Sequence, residues 1–223
     1  MSLLTDIVFA YNFEGNSNDE IAGNNGTDTN ITYGTSYGKI GQGALAGSSN
    51  SVIVLPTAVQ VSPPHLAQSF SIWFKTGAVT SGKRIFNFDV DGSGEKISYC
   101  FVFGTNTVDF HRIRQGYPDS IVSTAFTDTT NWHHLVGTWD GTYIYFYFDG
   151  TYIGSLSCAG DGWYTFTNYA GVGFGGTNIN IDMFYGWSRK ITSEEVTELW
   201  NSGVGLQYPF IKANGLGFLN FFK

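Results

Sequence analysis

From Ile7 to Trp187 the chain sets short apolar runs, alternating or continuous, between turns of Gly, Asn and Asp. The runs are Ile7 to Phe13, Ser51 to Leu55, Ser69 to Lys75, Arg84 to Phe88, Lys96 to Phe103, Val108 to Arg114, Trp132 to Trp139, Tyr143 to Phe148, Tyr169 to Phe174 and Ile179 to Trp187. Ten or more short strands at this spacing predict an all-β sandwich or barrel, and no fixed-period repeat or low-complexity linker divides it. The period turns helical only near the end. Thr192-Ser193-Glu194-Glu195 reads as a capping box, Val196, Leu199 and Trp200 recur at helical spacing, and Gly203 offers a left-handed stop, so a helix of about three turns is expected. Beyond it, QYPFIKANGLGFLNFFK (207–223) is apolar and Phe-rich, and such a segment either folds back as a strand or docks on a partner.

The stretch NWHHLVGTWDGTYIYFYFDG (131–150) concentrates the chemistry. Residues two apart share a strand face, so Trp132, His134, Val136 and Thr138 point one way and His133, Leu135, Gly137 and Trp139 the other. The histidines therefore do not form one site, and no Gly-x-Ser-x-Gly elbow or orienting acid is evident beside either. His134 reads as a satisfied histidine under a loop, and Asp149-Gly150 as a type I′ turn signal and nothing more. In the next strand Ile144, Phe146 and Phe148 read as core. Tyr143, Tyr145 and Tyr147 face away from it, and they either stack on sugar rings or pack under a neighbouring element.

Composition narrows the class. Hydrophobic residues at 42% and charged ones at only 13% describe a chain that folds around a large interior, and 223 residues fit one large all-β domain. Strands with neutral polar outer faces are common on extracellular and particle surfaces, the localisation expected here. A net charge of −7 and the lack of any Lys/Arg-rich run leave no footprint for nucleic acid. No run approaches the roughly 18 apolar residues of a membrane span, and MSLLTDIVFAYNFEGNSND lacks the basic region of an export signal, so neither a membrane nor an encoded signal is expected. Cys100 and Cys158 stand in unrelated contexts, and their spacing does not decide whether they pair.

Four blocks together carry a resemblance: AYNFEGNSNDEIAGNNGTDTN followed by YGKIGQGALAG, FSIWFKT, NWHHLVGTWDGTYIYFYFDG, and INIDMFYGWSRKITSEEVTELW. In this order, across residues 6 to 203, they resemble the laminin G-like, or concanavalin A-like, jelly-roll superfamily in its bacterial and phage form. Ala46 stands where the hairpin often has Asp, and Met183-Phe184 replace a more polar pair. The resemblance implies a jelly-roll β-sandwich of two antiparallel sheets with one short C-terminal helix over 1–207, leaving 208–223 as a hydrophobic tail suited to anchoring. It also implies a structural calcium between the first loop and the closing strand, held by Asp19, Asn25 and Asp182 with carbonyls near Gly23. A loop of Asn, Asp and Gly supplies the oxygens a hard cation wants, though an ordinary Asx-rich turn has the same composition. DVDGSGEKISYC (89–100) imitates the start of an EF-hand loop, but Cys100 occupies the twelfth position where a bidentate Glu belongs, so a hairpin turn is expected.

Glucan hydrolases of this superfold use a Glu-x-Asp-x-x-Glu strand, which is absent, and GVGFGGTN leads into a strand rather than a phosphate-binding helix. Candidate ligand contacts are Tyr143 and Tyr145, Trp163-Tyr164, and the cations Arg112 and Arg114 with Tyr117. The reading is a non-catalytic module that recognises a glycan, cell-surface polysaccharide or other surface, displayed on a phage virion. The alternatives are a structural virion subunit (capsid decoration, fibre or tail protein) whose tail contacts other virion proteins, and a glycoside hydrolase. A homo-oligomer is compatible with either of the first two.

Overall fold

The computed structural model describes residues 2–56, 67–92, 95–114, 118–158, 169–172 and 178–211; for 89–92, 95–98, 114 and 169–172 the description is of backbone alone. Among these residues fifteen strands form: β1 (Ile7–Tyr11), β2 (Thr27–Thr29), β3 (Ile31–Gly34), β4 (Gly43–Ala46), β5 (Val52–Leu55), β6 (Gln68–Thr76), β7 (Arg84–Gly92), β8 (Glu95–Phe103), β9 (Thr107–Arg114), β10 (Ser120–Ala125), β11 (His133–Trp139), β12 (Tyr143–Phe148), β13 (Thr151–Ser157), β14 (Tyr169–Val172) and β15 (Ile179–Trp187). They build two antiparallel sheets. One runs β13-β12-β11-β6-β15-β4-β3, with β1 also paired to β15; the other runs β10-β9-β8-β7-β14-β5-β2. The expected sandwich is thus present. The sequence pattern passes over β10 and β13 because both are margin strands, exposed at alternate or most positions and poor in apolar contrast.

The interior is aromatic. Phe70, Phe74, Phe86, Phe101, Phe110, Leu135, Trp139 and Phe146 join one buried cluster drawn from both sheets. Gly137 lies in this layer, where a Cβ would collide with the Phe110 ring. A second cluster covers the opposite face of the first sheet: Trp73, Val136, Tyr185 and Trp187 lie beneath Val196 and Leu199 of the helix α1 (Ser193–Trp200). Central strand β6 is consequently buried on both faces.

Helix α1 begins as the sequence predicts. Thr192 accepts the Glu195 N–H and Glu195 accepts the Thr192 N–H. It ends earlier than expected, after eight residues, because Asn201 rather than Gly203 takes the first left-handed position (φ 48°), with its side chain donating to the Gly205 carbonyl. Tyr208 and Phe210, placed in the tail by the sequence, pack back on the sandwich. The Tyr208 N–H donates to the Tyr185 hydroxyl, and the Phe210 ring meets Tyr185 edge-on with centroids 5.2 Å apart. The rest of the tail expected to anchor the chain, 212–223, lies outside the described residues. Cys100 and Cys158 are both buried and are not joined in a disulfide.

Candidate functional site: a tyrosine ledge

The β12–β13 hairpin closes through Asp149 (φ 49°) and Gly150 (φ 73°), the two positive φ values that a type I′ turn requires. Its register pairs Tyr143 with Ser157, Tyr145 with Ser155, and Tyr147 with Tyr152. Ile144 and Phe146 enter the core, so these six polar-ended side chains share the other face. Exposure then separates them. Tyr143 is 42% and Tyr152 51% exposed, Tyr145 is half-buried, and Tyr147 is 6% exposed, packed into the cluster under α1. Of the two readings open for the stripe, packing holds for Tyr147 and exposure for Tyr143.

Between the exposed rings lies a fixed polar group. The Tyr145 hydroxyl donates to Asp140 Oδ2 at 2.6 Å, and Lys190 Nζ stands 3.2 Å from the Tyr145 ring centroid and 3.7 Å from Asp140 Oδ2. Asp140 Oδ1 meanwhile accepts the N–H groups of Thr142 and Tyr143, which shapes the β11–β12 turn. The Asp140 bond, then burial, push the Tyr145 phenol up to about 12. Burial pushes Asp140 upward, but the Tyr145 hydroxyl, the two N–H groups and the Lys190 charge outweigh it and hold the carboxyl below its ordinary value. The centre of the ledge is an ionised acid, a neutral phenol and a cation, flanked by the exposed rings of Tyr143, tilted against Tyr145, and Tyr152, tilted against Tyr147, and by the Ser155 and Ser157 hydroxyls.

Other expected contacts fall elsewhere. Arg112 is not an exposed loop cation. It shares the inward face of β9 with Val108 and Phe110, is 4% exposed, donates to the Tyr99 hydroxyl and stacks 4.3 Å from the Trp139 ring centroid. The Arg114 side chain, Tyr117, Trp163 and Tyr164 lie outside the described residues. Asp91 pairs with Lys96 and Gly92 with Glu95, so the EF-hand-like stretch closes a hairpin, as expected.

The proposed calcium ligands do not fit the ion. Asp19 Oδ1 accepts the N–H groups of Ala10 and Ile21, and Oδ2 those of Ala22 and Asn24. Asn25 Oδ1 accepts the Asp19 N–H, and Asp182 accepts those of Lys39, Ile40 and Met183. Lone pairs aimed at N–H groups are not open to a cation that wants six to eight oxygens. Among the described residues no three His, Cys, Asp or Glu side chains come together as a metal site. Asp19 closes its own loop from Ile21 to Asn24, as in an Asx-rich turn, whereas Asp182, inside β15, holds the distant Lys39–Ile40 segment.

Comparison with known families settles the ancestry: the model of the concanavalin A-like lectin/glucanases superfamily matches residues 46–197. The chain belongs to that superfamily. Among solved structures it is similar to domain 4 of AbnA, a GH43 extracellular arabinanase from Geobacillus stearothermophilus, in complex with arabinotriose (TM-score 0.70, 20% identity, 86% of this chain and 97% of that one). It is also similar to the receptor binding domain of botulinum neurotoxin D (TM-score 0.70, 14% identity, 89% and 53%) and to the binding domain of Paraclostridial Mosquitocidal Protein 1 (TM-score 0.68, 16% identity, 89% and 52%). The chain spans about half the length of these toxin binding domains, and at such identities the likeness is one of fold. No curated protein sequence matches it significantly.

A superfamily that joins lectins and glucanases directs attention to the histidines and acids. His134 is buried between Ser71, whose hydroxyl is 2.8 Å from Nε2, and the stacked rings of Trp73 and Trp200, so it sits under the helix rather than under a loop. Burial drives it down to about 3 and keeps it neutral. His133, on the core side, does have acids in reach, contrary to the sequence reading: Nδ1 is 2.8 Å from Asp149 Oδ2 and Nε2 is 3.4 Å from Asp128 Oδ2. Asp149 also accepts the His134 N–H, so it latches the hairpin as well as turning it. The rings around His133 are Phe74, Phe126 and Phe148, which offer no nucleophile.

Burial works against a charge on His133, but the Asp149 bond and the Asp149 and Asp128 charges prevail and raise its pKa above 6.5. A raised pKa means the folded state holds the proton more tightly. This contribution is complete below the unfolded value and is lost as pH rises through the folded one. His133→Gln is therefore expected to cost most stability at mildly acidic pH and progressively less toward pH 8, read as the difference between wild-type and variant melting curves across pH. A difference that does not vary with pH rules out a charged His133 as the source.

Proposed function

We propose that the protein is a non-catalytic recognition module that binds an oligosaccharide along the tyrosine ledge. The observation that carries this is the arrangement on rigid strands of two exposed rings, Tyr143 and Tyr152, on either side of the fixed Tyr145, Asp140 and Lys190 group. A sugar presents apolar C–H faces and a fringe of hydroxyls; exposed tyrosine faces suit the first, and a carboxylate, an ammonium and serine hydroxyls suit the second. Tyr143 and Tyr147 are four residues apart on β12, so the ledge extends about 13 Å, room for several sugar units rather than one. Within the fold, domain 4 of AbnA was solved with arabinotriose and the binding domain of botulinum neurotoxin DC with rat synaptotagmin II. The ledge has hydroxyls and charges but little aliphatic surface, which favours the sugar. The low content of charged residues and the neutral polar strand faces support display on an extracellular or virion surface.

The test is a glycan array followed by calorimetry on the best soluble oligosaccharide. Tyr143→Ala and Tyr152→Ala are each expected to cost about 2 kcal/mol of binding, roughly 30-fold in Kd, as central aromatic contacts do. Their melting temperatures should stay near wild type, because both rings are exposed. Binding that neither substitution weakens, or no binding to any array or cell-wall glycan, rejects the proposal. Release of reducing ends from a bound glycan would reinstate the hydrolase reading.

A further inference from the structure

We infer that the ledge selects neutral glycans carrying adjacent free hydroxyls and rejects acidic ones, because its polar centre is built to accept protons. This rests on the ledge reading above and adds the chemical class of the ligand. An ionised Asp140 can only accept. Its Oδ1 is filled by the Thr142 and Tyr143 N–H groups, whereas Oδ2 takes the Tyr145 hydroxyl at 2.6 Å and keeps a lone pair for a further donor. The Tyr145 proton is thereby committed to Asp140, so the phenol oxygen turns only lone pairs outward. Lys190 Nζ stands 3.7 Å from Oδ2, beyond hydrogen-bond length. A sugar hydroxyl set between them accepts from the ammonium and donates to the carboxylate, and the adjacent hydroxyl donates to the Tyr145 oxygen. Ser155 and Ser157 rotate to give or take a proton and carry no preference.

An ionised carboxylate or sulfate has no proton to offer this centre. Set against Asp140 Oδ2 and the phenol oxygen, it brings acceptor against acceptor, and the ammonium beside them already serves Asp140 and the Tyr145 ring. Arg189, next to Lys190 in the chain, is committed to Glu195 and to the Ser2 and Thr5 carbonyls. The positive end of α1 is met by Glu194 and Glu195 in its first turn. Glu194 is exposed, and its charge reaches this face: after burial and Tyr152, it helps to push the Tyr147 phenol up. With a net charge of −7, the molecule as a whole also repels a polyanion.

An array that sets neutral oligosaccharides beside uronic-acid and sulfated counterparts of the same linkage, followed by calorimetry on the best matched pair, tests the selection. The neutral member should bind about 10- to 100-fold more tightly at low salt, the range for polar groups left unmatched. O-methylation of its hydroxyls, which removes the protons and keeps the rings, should cost a similar factor. Asp140→Asn keeps an Oδ1 acceptor for the turn but sets an amide N–H against the Tyr145 oxygen, which releases the phenol proton toward the ligand. The preference for the neutral member should then shrink by about tenfold, with the melting temperature near wild type. Tyr145→Phe should weaken the neutral member by about tenfold and leave the acidic one as weak as before. A purely structural role for either residue would weaken both members equally. Matched pairs that bind alike, a tighter acidic member, undiminished binding after O-methylation, or a preference unchanged in both variants overturns the inference. The ledge reading is judged apart. Acidic hits weakened by Tyr143→Ala keep the ledge and remove the selection, neutral hits that neither Tyr143→Ala nor Tyr152→Ala weakens remove the ledge itself, and an empty array removes both.

Discussion

Arg189→Ala is expected to lower the free energy of unfolding by about 3–5 kcal/mol, the range for removing one partner of a buried ion pair. Arg189 and Glu195 meet in two parallel bonds of 2.7 Å each, with side chains only 10 and 3% exposed. The same guanidinium donates to the carbonyls of Ser2 and Thr5, so it ties the N-terminal segment to the helix start. Glu195 is also the residue that closes the capping box. Loss of the cation therefore leaves a buried carboxylate with only the Thr192 N–H and frees the segment that covers Trp187 through the Leu3 carbonyl. For a chain of this size such a loss corresponds to roughly 10–15 °C in Tm. Burial pushes Glu195 upward, but the Arg189 bonds, the Thr192 N–H and the Arg189 charge outweigh it and hold the carboxyl below its ordinary value of 4.5. Its contribution is present above that value and disappears as pH falls through the lowered one. The double variant Arg189→Met with Glu195→Leu should be more stable than Arg189→Ala alone, since it strands no charge. Urea unfolding of the three proteins decides the matter, and a loss below about 1 kcal/mol for Arg189→Ala refutes the role assigned to the pair.

Asp19→Ala is expected to cost about 3–4 kcal/mol, because four backbone N–H groups lose their acceptor at a site 5% exposed and orphaned buried donors cost about 1–3 kcal/mol each when water cannot fully replace the partner. The carboxylate links β1, through Ala10, to the loop from Ile21 to Asn24, and the Asn25 amide oxygen closes the loop from its far side. If the N–H groups hold the loop, a chelator should leave the melting temperature of the wild type unchanged, and Asn25→Ala should cost about 1 kcal/mol, one hydrogen bond. A rise of several degrees on adding calcium, abolished by Asp19→Ala, would restore the ion as the fastener of the loop and displace the N–H groups from that role.

How far such features are legible in the chain depends on their range. The β11–β12 hairpin, its division of His133 from His134, and the capping box at Thr192 follow from alternation and from residues three apart, and the structure has them as expected. The helix stop moved by two residues because Asn201 adopts the left-handed conformation at a cost small enough for its Gly205 bond to offset. Asp149 was legible as a turn residue, but its second role, holding His133, and the hold of Asp140 on Tyr145 depend on how neighbouring strands align. Arg112 misled because a cation in a sequence of polar residues looks exposed, whereas strand alternation had already set it beside Phe110. Tyr152, Ser155 and Ser157 left little signal, since a margin strand has no apolar face to mark it.

By itself the sequence determined which side chains share a face, where the backbone turns and where the helix begins. Those features follow from the two-residue period of strands, the positive φ tolerated by Asp149-Gly150, and a capping bond three residues long. Only the tertiary structure decided which of the tyrosines in one row remains open to solvent, that Lys190 comes to rest over Tyr145 from 45 residues away, and that the Asp19 oxygens meet N–H groups. Burial of a strand's outer face is set by what packs across it, and here that is a helix encoded some 50 residues later.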